Sequence, residues 1–81
     1  MADPKDIEAT RIARREFVKH RVDVNLADLR VSHGVVYLRG IVRAERGAPY
    51  TSLQAECEKI ARIIRQKANV RDVVLDVTYR T

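Results

Sequence analysis

The stretch Leu29 to Val42, reading LRVSHGVVYLRGIV, constrains the fold more than any other part of this chain. Leu29 and Val31, then Val36, Leu38, Gly40 and Val42, recur at every second position on either side of His33-Gly34. Period-two alternation is the mark of a strand with one buried face. A glycine at the junction permits the positive φ of a tight hairpin turn. The reading is strand one over Leu29 to Ser32 and strand two over Val35 to Val42. Gly40 interrupts the second strand without a side chain to pack, and so predicts that another element comes close there.

Helices flank the hairpin. Asp3 is a good N-cap and Pro4 suits the first helical position, which predicts a helix from Pro4 to about His20. Phe17, Ala13 and Thr10 share one side of it, with Ile7 and Val18 at the margin. Arg21 to Asp28 reads as a connector anchored by Val22, Val24 and Leu26. After a loop over Arg43 to Tyr50, Thr51 with Gln54 resembles a capping box, and Tyr50 a hydrophobic staple onto Ala55. Leu53, Cys57, Ile60, Ala61, Ile64 and Ala68 follow at helical spacing. Asn69 suits a left-handed helix end. Val73, Leu75, Val77 and Tyr79 then alternate as a last strand.

The order α-β-β-α-β predicts an α+β two-layer sandwich, a three-stranded mixed sheet with both helices on one face. Val31, Val36, Leu38 and Val42 would meet the helices. Arg30, Ser32, Val35, Tyr37, Arg39, Ile41 and Val74 would line an open face, more apolar than solvent alone selects.

Residues 1–81 form a single domain on this reading, since such a chain buries about 60 per cent of its unfolded surface. Only Phe17, Tyr37, Tyr50 and Tyr79 are aromatic, so the core is mainly aliphatic. No apolar run reaches the about 20 residues that cross a bilayer. The polar start Met-Ala-Asp-Pro-Lys-Asp lacks a signal-peptide pattern, which predicts a cytoplasmic chain, or a periplasmic one if a leader was removed. The lone Cys57 cannot form an internal disulfide. A net charge of +5, with twelve of the sixteen basic residues arginine, favours anionic partners.

With the hairpin, Ile60-Ala61, and Val70 with Val73 in place, the chain resembles a BON domain, named for bacterial OsmY and nodulation proteins. The family pattern is I-x-V-x-x-x-G-x-V-x-L-x-G-x-V, then a helix bearing I-A, then G-V-x-x-V. Leu29-Arg30-Val31 takes the opening strand, Gly34, Val36, Leu38, Gly40 and Val42 follow the family spacing, and the resemblance spans about residues 8 to 79. Asn69 stands where the family has glycine, and Leu75 where Asn is common. The resemblance implies a non-catalytic module that attaches to phospholipid membranes or to envelope-associated protein partners.

Two basic groups are the candidate lipid- or anion-binding residues: Arg11, Arg14, Arg15 and Lys19 on the first helix, and Arg39, Arg43 and Arg46 leaving strand two. Val35, Tyr37, Ile41 and Val74 are the candidate partner interface, for self-association or another protein. No catalytic residue is identified. Carboxylates pair with bases along the second helix (Glu58 with Arg62, Glu56 with Lys59), and none sits on a core position with a second one nearby. His20 reads as a helix end and His33 as a turn residue. One Cys and two distant His make no zinc site, and no cofactor motif is present. Nucleic acid is the alternative partner suggested by the charge. Against it, the three glycines lack the G-x-x-G spacing of KH domains, and paired stacking aromatics are absent.

Overall fold

Pro4 has no amide hydrogen to leave unsatisfied and Asp3 has a carboxylate to offer, so the chain enters a helix at this point. In the computed structural model, which describes residues 3–80, α1 spans Pro4–Lys19 and Asp3 Oδ1 accepts the Lys5 N–H at 2.9 Å. Its buried side is Ala9, Ala13, Glu16 and Phe17. Thr10 is half-buried and donates its hydroxyl to the Asp6 carbonyl, while Ile7 and Val18 point outward. This corrects the expected orientation: the true core stripe lies one residue round, through Ala9 rather than Thr10.

The connector expected at residues 21–28 is strand. β1 runs Val22–Ser32 and pairs antiparallel with β2, Val35–Ala44. A register shift between Asp23 and Leu26 explains the misreading. Val22 and Val24 face the core at even positions, whereas Ala27, Leu29 and Val31 face it at odd ones. One extra residue changes the phase of the alternation. Gly40, opposite Ala27, sits where that irregularity presses in. A Cβ there would lie 2.7 Å from the Leu26 carbonyl oxygen, and its φ is +119°. The close approach expected at Gly40 is therefore the backbone of the neighbouring strand.

His33 and Gly34 both have positive φ, the geometry of the turn whose twist matches a hairpin. The Asp6 carboxylate accepts their two N–H groups at 3.3 and 3.1 Å, tying α1 to the turn. α2 spans Leu53–Arg65 and β3 spans Asp72–Arg80. Its N-cap is Ser52 rather than Thr51: Ser52 Oγ accepts the Ala55 N–H at 3.1 Å. Gln54 bonds Glu58 instead of closing a capping box, and the Tyr50 hydroxyl donates to the Arg21 carbonyl. Ala68 lies beyond the helix and is exposed; Asn69 does take positive φ. Ser52→Ala should cost about 1 kcal/mol, read as a lower urea midpoint with unchanged slope.

β3 pairs parallel with β2 over nine consecutive residues, Val35–Asp72 to Arg43–Arg80, so the sheet is mixed with order β1-β2-β3. α1 packs over β1 and α2 over β3 on one face. Between the layers lie Phe17, Val22, Val36, Leu38, Val42, Cys57, Ile60 and Ile64, all fully buried. The two-layer α+β architecture is the one expected.

Candidate functional site

The face of α1 opposite its core stripe carries the first basic group. Ile7, Arg11, Arg14 and Val18 recur at i, i+4, i+7 and i+11, one narrow row on a helix, with Arg15 beside it and Lys19 at its end. Ile7 is 48% and Val18 57% exposed. Among the described residues, none of Arg11, Arg14, Arg15 and Lys19 pairs with a carboxylate. The row is thus four free cations with an exposed aliphatic side chain toward each end. The sequence reading placed Ile7 and Val18 at the margin and so missed them as part of this row. The i+11 spacing from Ile7 to Val18 is the signal that could have found them.

The second basic group does not form a free cluster. Arg39 lies 3.3 Å from Asp76 and Arg43 lies 3.0 Å from Asp23. Arg46 is in the loop after β2, where its carbonyl accepts from Arg21. The Asn25 N–H, and then Arg43, hold the Asp23 carboxyl below its ordinary range. Such solvent-screened pairs add little to stability, but they cancel the charge that an anion would meet.

The open face is as expected in composition. Register places Arg30, Tyr37 and Val74 in one row, Asp28, Arg39 and Asp76 in the next, and Leu26, Ile41 and Thr78 in the third. Val35 is at the turn end of the same face, between Ser32 and Asp72. Tyr37, Val74 and Leu26 are exposed, while Val35 and Ile41 are partly covered. Leu26 joins this face only because of the shift in β1, and the sequence reading had left it in the connector.

A polar cluster between the helices was not foreseen. His20 Nδ1 donates to Glu56 Oε2 at 2.8 Å, and Nε2 lies 3.6 Å from Glu16 Oε2. Glu16 is buried, 7% exposed, and its other oxygen is 3.7 Å from Lys67 Nζ. Glu56 therefore serves His20 rather than Lys59, and a carboxylate does occupy a core position with a second one nearby. The cluster joins the last turn of α1 to the first turn of α2. It borders an open cleft of about 280 Å³ lined by Lys19, Pro49, Tyr50 and Lys59. A similar cleft of about 290 Å³ surrounds Asp6, His33 and Arg71 at the hairpin end.

Cys57 is fully buried in the core. Burial, and then the Glu56 and Glu58 carboxylates, push its thiol up to about 11. At pH 8 only about a thousandth of it is ionised. Native protein should therefore resist iodoacetamide for hours and react within minutes in urea, followed by intact mass; equal rates in both states would contradict the burial. Among the described residues no group of His, Cys, Asp and Glu is arranged to hold a metal ion, and no helix is long and apolar enough to cross a membrane.

Comparison with known families and with curated proteins finds no match for this chain.

Proposed function

We propose that this chain is a non-catalytic binding module of BON type that attaches to anionic phospholipid surfaces through the outer face of α1. The observation that carries the reading is the row Ile7, Arg11, Arg14, Arg15, Val18 and Lys19, four cations unpaired among the described residues with exposed aliphatics among them. Each basic residue near an anionic surface adds about 1 kcal/mol, so four of them give attachment of about millimolar strength, before Ile7 and Val18 contribute. The row is too weakly apolar to insert deeply, so attachment is reversible and salt-sensitive. The BON reading is supported by its motif glycines, which occupy positions of structural need: Gly34 in the turn and Gly40 against β1. A second reading, docking of an envelope-associated protein on the sheet face, is favoured by exposed Tyr37, Val74 and Leu26.

The test is co-sedimentation with vesicles of phosphatidylcholine alone or mixed with phosphatidylglycerol. Binding that rises with anionic lipid and fades as salt rises from about 0.1 to about 1 M supports the lipid reading. No pelleting with anionic vesicles at low salt would remove it in favour of the sheet face. A steep salt slope on RNA or duplex DNA, without vesicle binding, would point to nucleic acid instead.

A further inference from the structure

The two edges of the sheet are built differently. β1 is irregular: its register slips between Asp23 and Leu26, and Asp23 turns its carboxylate onto the Asn25 N–H. Such a bulge twists an edge away from further pairing. β3, the other edge, has none of these guards. Its sequence DVVLDVTYR contains no Pro, Gly or Lys, and it pairs with β2 without a shift over its whole length. Only its first residues are occupied. The Asp72 carboxylate accepts the Val73 N–H at 2.8 Å, and Arg65, reaching from α2, bonds both Asp72 and the Val73 carbonyl. Val73 therefore turns its main-chain groups to the outer edge, and strand alternation turns those of Leu75, Val77 and Tyr79 the same way. The side chains of these three residues face the core layer but are only partly buried.

We propose that β3 is a self-association edge, pairing antiparallel with β3 of a second copy about a two-fold axis at Val77. In this register Val77 faces the partner's Val77 and Leu75 faces the partner's Tyr79. Each such pair can exchange two N–H···O bonds. On the core side the cross-strand neighbours are all apolar. On the open side Asp76 faces the partner's Thr78, whose hydroxyl can donate to it, and Val74 faces Arg80. A two-fold axis at Asp76 is excluded by chemistry: it sets two carboxylates opposite each other and needs the Val73 groups that Asp72 and Arg65 already hold. The axis at Val77 is the register that pairs all three outward residues, Leu75, Val77 and Tyr79, with one another, which argues for a second copy as the occupant. Closure is isologous, so assembly stops at the dimer.

An edge pairing covers less than a standard interface, so the dimer forms between about 10 μM and about 1 mM. Sedimentation equilibrium of the full chain should show the mass rising from 9.3 kDa toward twice that value over this range. Thr78→Asp places a carboxylate opposite Asp76 of the partner and should weaken the dimer at least about tenfold. Thr78 is exposed, so the variant should stay folded with only a small drop in its urea midpoint. Val77→Pro removes the outward donor and should give a monomer; if it fails to fold, Thr78→Asp still decides. Tyr37→Glu, on the open face of the central strand, should leave the dimer intact. A wild-type chain that stays at 9.3 kDa to about 1 mM, or a dimer indifferent to Thr78→Asp, overturns the proposal. Loss with Tyr37→Glu alone would overturn it in favour of face-to-face packing.

Discussion

Gly40→Val is expected to remove a large share of the folding stability of this chain. The conflict begins at Cβ, 2.7 Å from the Leu26 carbonyl oxygen and 3.0 Å from the Ala27 Cα, and both are backbone atoms of a paired strand. The φ of +119° is a conformation that a β-branched residue does not adopt without strain. Relief requires β1 to move away from β2, and Leu29 and Val22 would move with it out of the core. A cost of about 3–5 kcal/mol is expected, against a total stability of about 4–12 kcal/mol for a chain of this size. Gly40→Ala should carry most of that loss, because the clash lies at the first side-chain atom. Urea denaturation followed by circular dichroism measures both. An alanine variant with an unchanged midpoint would mean that the irregular part of β1 yields at little cost.

Arg11→Glu combined with Arg15→Glu should abolish attachment to phosphatidylglycerol vesicles. The change moves four units of charge on one helix face, about 4 kcal/mol at an anionic surface or roughly a thousandfold in affinity. Both side chains are exposed and neither has a carboxylate partner among the described residues, so stability should stay within about 0.5 kcal/mol. That separation between binding and folding gives the experiment its force. Undiminished vesicle binding by the folded double variant would move the site away from α1. The pair Arg39→Glu and Arg43→Glu provides the contrast. These arginines already sit beside Asp76 and Asp23, so their reversal should weaken vesicle binding far less.

Local patterns were legible where a single period held. The hairpin was readable because β2 keeps one phase of alternation on both sides of Gly40 and His33-Gly34 can hold positive φ. α2 was readable because Leu53, Cys57, Ile60, Ala61 and Ile64 keep a helical stripe. β1 was half-lost because its alternation changes phase, and an apolar set split between even and odd positions looks like a connector. The cap at Ser52 rather than Thr51 was a choice between adjacent hydroxyls, which the spacing to Gln54 decided wrongly.

The candidate sites divide in the same way. Charge and helical spacing were enough to pick out Arg11, Arg14, Arg15 and Lys19, since a row on an exposed helix face depends only on sequence offsets. That Arg39 and Arg43 are neutralised depended on Asp76 and Asp23, which only the strand register brings beside them. Glu16 is the sharpest case. A glutamate in a helix predicts exposure, and its burial is sustained by His20 one turn on and by Lys67 from the far end of the chain.

Sequence periodicity alone therefore determined the order of the elements and the buried faces of β2, α2 and β3, because burial of apolar side chains acts at fixed offsets along the chain. Tertiary structure decided the register of β1, the backbone that presses on Gly40, the partners of the charges and the edge left open along β3. Each of these depends on which distant residues meet, and a pattern of near neighbours does not contain that information.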